Sequence, residues 1–185
     1  TENAELRQMA GFNQLQSADE IIITQNPSLE SVDGFDSLES VNTFRVENNA
    51  NLRFISGLPR LNQLTTLTIS DNTRLQTIRG FDTMTQVTNF TIEDNSQLAS
   101  IQFEGLNQVT GNMLLRNNEE TRSLGSFPNL TNVIGNLTVE SNDRMADLTG
   151  MEALSTVRNL SITRNGALTS TNGLDGLTRV TERLQ

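Results

Sequence analysis

The chain has 185 residues, 35% of them apolar, and a formal net charge of −9. That length suffices for one domain with a substantial core or for one elongated array. The acidic balance argues against a nucleic-acid phosphate partner or an anionic membrane, and no apolar run reaches the length of a membrane span or matches a signal peptide.

Cys, His, Trp, Tyr and Lys are missing, and all 13 basic residues are Arg. Without Cys there is no disulfide framework and no thiolate metal site. Without His the commonest general base and transition-metal ligand are gone. Without Lys there is no lysine catalysis and no Walker phosphate loop. No cofactor is expected. No physical reason for the missing Lys is evident.

Read in chain order, residues 1–17 hold a half copy of a repeat (Leu6, Met9, Gly11, Phe12, Leu15). Seven full copies follow, beginning at Ala18, Val41, Leu64, Val87, Val109, Val133 and Val157. Their lengths are 23, 23, 23, 22, 24, 24 and 23 residues, and a truncated copy occupies 180–185. The whole of 1–185 therefore reads as a single repeat domain.

Each copy approximates V-x-x-L-x-I-x-x-N-x-x-L-x-x-I-x-G-F-x-x-L-x-x. The L-x-I segment alternates in twos and predicts a short strand with one face buried. Its inward pairs run from Ile21 and Ile23 through Leu67 and Ile69 to Leu160 and Ile162. An Asn follows in every copy: Asn26, Asn49, Asn72, Asn95, Asn118, Asn142 and Asn165. Such an Asn tolerates turn conformations and can bond backbone in its own turn and in adjacent coils. A structural Asn ladder is the expectation, rather than seven ligand contacts.

Beyond the Asn, L-x-x-I returns to the core and a Gly marks a corner (Gly34, Gly57, Gly80, Gly150, Gly173). The fourth copy deletes it, and the fifth carries Ser126 there. The column Phe12, Phe35, Phe81, Phe103 and Phe127 is expected to stack in the core. One such coil cannot bury its own apolar residues, whereas stacked coils bury them against each other. The prediction is a mainly β, right-handed β-solenoid of about 23-residue leucine-rich repeats with little or no α-helix. Eight coils would span roughly 35–40 Å at the ~4.8 Å strand spacing.

L-x-I-x-x-N resembles the strand-and-asparagine core of leucine-rich repeats. The longer return, clearest in NLTNVIGNLTVESND and LSTVRNLSITRNGALTSTNGLDGL, is similar to the receptor L-domain. That is the ligand-binding β-helix of insulin-type and epidermal-growth-factor-type receptors, with related repeats in fungal cell-wall and bacterial surface proteins. The resemblance runs from about Leu6 to Leu184. It implies a secreted or cell-surface module. The missing cysteines and regular repeat point to a microbial, most simply bacterial, surface protein. No binding motif of the receptors maps onto these residues.

Function is then expected to be non-catalytic extracellular recognition or adhesion, with a protein or glycan ligand on the solenoid surface. Departures from the outward columns are the best candidates. Ile22 and Leu114 are apolar where Thr68, Thr91 and Thr138 stand in other copies. Arg45 and Arg116 are basic on an acidic chain, and Phe54 replaces Ser, Thr or Asp. Arg45, Phe54, Thr68, Thr91, Leu114, Arg116 and Thr138 form the candidate ligand set, with Arg45, Phe54 and Arg116 expected in one patch. The competing reading is a solvated face of strand-favouring Thr.

Carboxylates near the strand ends (Glu47, Asp71, Glu93, Asp94, Glu140, Asp143) lack the regularity of calcium-binding rolls, so no metal site is assigned. Sequons at Asn89, Asn129, Asn136 and Asn159 follow from the repeat itself. Paired carboxylates with no cleft make an enzyme the weaker reading. A Thr-rich flat face suggests ice or surface binding as the alternative function. Leu6 and Met9 begin mid-coil and Val180 and Leu184 start a coil that does not close. The chain is thus expected to continue into flanking sequence or to associate end to end.

Overall fold

The structure is a computed structural model describing residues 2–185. It is a parallel β-solenoid of about eight turns with a repeat near 23 residues, and no helix occurs among the described residues. Two sheets carry the coils. The long sheet contains β2 (Ser17–Thr24), β4 (Ser40–Glu47), β6 (Gln63–Ser70), β9 (Asn89–Glu93), β12 (Met113–Arg116), β13 (Asn132–Glu140), β14 (Thr156–Thr163) and β15 (Arg179–Leu184), each parallel to the next. Two-residue pieces β8 (Gln86–Val87) and β11 (Gln108–Val109) continue it where β9 and β12 start late. The short sheet stacks β1 (Gln8–Met9), β3 (Ser31–Val32), β5 (Phe54–Ile55), β7 (Thr77–Ile78) and β10 (Ser100–Ile101).

Register runs straight up the columns, because a slip of one residue would turn every core side chain outward. Phe44 pairs with Leu67, Leu67 with Phe90, Phe90 with Met113 and Met113 with Leu137. All five are buried, as are the return residues Leu52, Ile55, Ile78 and Leu98. The Phe column is internal from Phe35 onward. Phe81 stacks on Phe103 with ring centroids 4.8 Å apart, and Phe103 on Phe127 at 5.5 Å. Phe12 stacks on Phe35 at 5.5 Å but is 47% exposed. Thr121 takes a leucine position in the core, and its hydroxyl donates to the Leu98 carbonyl at 2.8 Å. A buried hydroxyl is tolerated only with such a partner.

Two irregularities of the repeat have local causes. The longer fifth and sixth copies insert their residue ahead of the strand, at Gly111 and Gly135, which stack with the Gly135 N–H donating to the Gly111 carbonyl at 2.9 Å. A Cβ at Gly135 would fall on that carbonyl, so only glycine fits the stacked bulge. At the corner, positive φ occurs at Gly57, Gly80, Gly150 and Gly173 but not at Gly34. In the fifth coil it moves to Gly125, one residue ahead of Ser126. The corner therefore keeps a glycine in that coil by shifting it.

The asparagine turns also differ in one respect from the sequence expectation. The left-handed residue is the one preceding the ladder Asn: Gln25, Asn48, Asp71, Asp94, Asn117, Ser141 and Arg164 all have φ between 52° and 57°. Three of these seven, Gln25, Ser141 and Arg164, are neither Asn nor Asp, yet the conformation is uniform, because the ladder bonds over-determine it. The ladder Asn itself supplies hydrogen bonds.

Candidate functional site

The Asn side chains form a continuous column along the solenoid. Asn72 is typical. Its Nδ2 donates to the Ser70 carbonyl in its own turn and to the Val46 carbonyl one coil back, both at 2.9 Å. Its Oδ1 accepts from the Asn49 backbone N–H at 3.1 Å. Its own backbone N–H donates to Asn95 Oδ1 at 3.1 Å. Asn49, Asn72 and Asn95 are fully buried. Every polar atom of these amides is committed to backbone, which leaves none to meet a ligand.

The side chains free to make outside contacts are then the outward ones. On the long sheet three outward columns stand side by side. Arg45, Thr68, Thr91, Leu114 and Thr138 share one column, in register from strand to strand. Arg116 belongs to the neighbouring column, paired with Glu93 on one side and Glu140 on the other. Phe54 lies on the outer face of the short sheet, between Ser31 and Thr77, and is 43% exposed. The structure thus brings Arg45, Thr68, Thr91, Leu114, Arg116 and Thr138 onto one face and leaves Phe54 on another.

Electrostatics on that face are local. Arg45 Nη2 meets Glu47 Oε2 at 2.6 Å within one strand, and Arg116 Nη2 meets Glu93 Oε2 at 2.5 Å across coils. Hydrogen bonding to Glu47 first, then its charge, raises the Arg45 guanidinium above its ordinary value. Glu93 does the same for Arg116. Arg164 pairs with Glu140 at 2.8 Å. Glu47, Glu93 and Glu140 are therefore each engaged by an arginine. Among the described residues no three acidic side chains converge in a way that could hold a metal ion.

A second surface was not singled out by the sequence reading. The outward residues one before and one after each repeat start flank a groove of about 710 Å³ over the first four coils. Its lining includes Asp19, Asn42, Asn62, Gln63, Thr65, Gln86 and Thr88. Asn42 Nδ2 donates to Asp19 Oδ1 at 2.5 Å. Farther along, the same columns line a smaller hollow of about 370 Å³ at Gln108, Asn132, Ile134, Thr156, Arg158 and Thr181. The signal was present in the column Ser17, Ser40, Gln63, Gln86, Gln108, Asn132, which is richer in amides than a plain strand flank needs.

Comparison of the chain with family models, curated proteins and solved structures gives no match. No helix is long and apolar enough to cross a membrane among the described residues.

Proposed function

We propose that this solenoid is a non-catalytic recognition or adhesion module of the leucine-rich, receptor L-domain-like kind, acting outside the cell or at its surface. Its protein ligand docks on the outer face of the long sheet. The observation that carries this reading is the interruption of an otherwise repetitive hydroxyl column by Arg45 and Leu114, with Arg116 beside Leu114. Repeat scaffolds gain specificity where copies differ, since the recurring residues serve the stack. Arg and large apolar side chains are also the types that dominate interface energies. The absence of His, Cys and Lys from the sequence leaves no usual partner to activate a Ser or Thr nucleophile.

The test is capture of surface proteins by the immobilised chain, compared with a variant carrying Arg45→Ala, Leu114→Ala and Arg116→Ala. A partner held by the parent chain should be lost at least about tenfold by the variant, or roughly 1.4 kcal/mol. Equal capture by both would remove the long-sheet face from consideration.

Thr68 and Thr91 stand in direct register on adjacent strands, which supports a second reading as an ice- or surface-binding face. Arg45 and Leu114 flank that pair and break the regular array such binding requires. Thermal hysteresis of the purified protein decides it.

A further inference from the structure

We infer that the groove over the first four coils is a binding subsite for an extended, neutral glycan chain lying along the solenoid axis. This rests on the recognition reading above but uses a different surface. Three features of the groove carry it.

The first is direction. Its lining side chains repeat once per coil, in parallel register from Ser17 to Ser40 to Gln63, and Gln86 continues the column. Equivalent positions, hydroxyls at Ser17 and Ser40 and amides at Gln63 and Gln86, therefore recur about every 4.8 Å along one line. A ligand that repeats along its own length can meet them in succession.

The second is chemistry. The groove presents planar amides and hydroxyls with one carboxylate, Asp19. A primary amide offers two donors and an acceptor in one plane. Adjacent ring hydroxyls of a sugar, each donor and acceptor at once, are complementary to that plane. An anionic chain would instead face Asp19 on a protein of net charge −9. A peptide strand would need free backbone groups, and here the backbone is already bonded from coil to coil.

The third is availability. Some exposed amides of this molecule are used within the fold: Asn51 bonds the Pro27 carbonyl, Asn107 the Asn129 carbonyl and Asn129 the Glu104 carbonyl. The side chains of Asn62, Gln63 and Gln86 make no hydrogen bond within the described residues, and all three are exposed. They are free to bond a ligand without breaking anything in the fold.

Calorimetric titration with cellohexaose, laminarihexaose and maltohexaose tests this. At least one should bind the parent chain with a dissociation constant of millimolar or tighter. The triple variant Asn62→Ala, Gln63→Ala, Gln86→Ala should weaken it about tenfold or more. Because those side chains are exposed and unbonded, the variant should melt with the parent chain, and circular dichroism verifies that it is folded. The Arg45, Leu114 and Arg116 variant should bind the hexaose unchanged, so failure of the groove and failure of the long-sheet face are read separately. No binding of any of the three hexaoses, or binding that the groove variant leaves intact, overturns the inference.

Discussion

At the scale of single residues the ladder asparagines carry the largest local consequences. Asn72→Ala would leave the Val46 and Ser70 carbonyls and the Asn49 N–H without partners in a fully buried turn. Unsatisfied buried groups cost about 1–3 kcal/mol each, so a loss of at least ~3 kcal/mol is expected, read by urea unfolding. Asp71, its neighbour, sits at φ 55°. A β-branched residue is poorly suited to that conformation, so Asp71→Val should lose about 1–2 kcal/mol while Asp71→Gly stays close to the parent chain. Equal stability of the two variants would contradict a conformational origin. Asp147 gives a pH dependence. Hydrogen bonds from the Thr149 side chain (2.6 Å) and then its backbone N–H (3.0 Å) lower its carboxyl below the usual value. A depressed folded value means the contribution is present above the unfolded value and fades as pH falls through the folded one. The stability gap between the parent chain and Asp147→Ala should thus narrow on acidification from neutral to below the ordinary carboxylate range.

At the scale of elements the two sheets behave differently. The long sheet persists through all coils, whereas the short sheet's strands end with β10, followed by a single bridge from Gln102 to Ser126. The change coincides with the shifted corner at Gly125 and with the Asp147 turn, where Leu124 and Leu148 N–H groups bond forward to Thr149 and Asn172 carbonyls. Side-chain bonding by Asp147 offers the backbone an alternative to a sheet ladder. The stacked bulge at Gly111 and Gly135 is the other element-scale device. Gly135→Ala should destabilise by about 1–3 kcal/mol through overpacking against the Gly111 carbonyl, measured as a lowered unfolding midpoint. An unchanged midpoint would show that the bulge relaxes freely.

At the scale of the whole molecule each coil touches only its neighbours, so stability is a sum of coils and of the interfaces between them. Central strands are covered on both sides. Hydrogen exchange should be slowest at Leu67 and Phe90 in β6 and β9, and fastest in β15, where Leu184 is 68% exposed. Uniform protection from β2 to β15 would indicate instead one all-or-none unit.

Much of this architecture was legible from spacing alone. The core columns, the Asn column and the Phe column could be read because a stacked coil imposes the same inward positions on every copy. Copy lengths of 22 and 24 residues signalled irregular coils, but not how they are built. That Gly125 takes over the corner, and that Gly111 and Gly135 share one bulge, depends on which backbone atoms meet between coils. The candidate surface was legible only in part. Arg45 and Phe54 are nine residues apart and looked like one patch, yet the Asn49 turn between them carries Phe54 onto the other sheet.

The sequence by itself determined the repeat, the inward faces and the chemistry this chain lacks, because composition and period act within each copy. Only the tertiary structure decided which outward residues become neighbours. Arg116 found Glu93 from the preceding coil, while Asn62, Gln63 and Gln86 came to line a groove with no bonds of their own. Contacts of that kind form between residues one coil apart, where outward side chains are not fixed by the need to bury apolar surface.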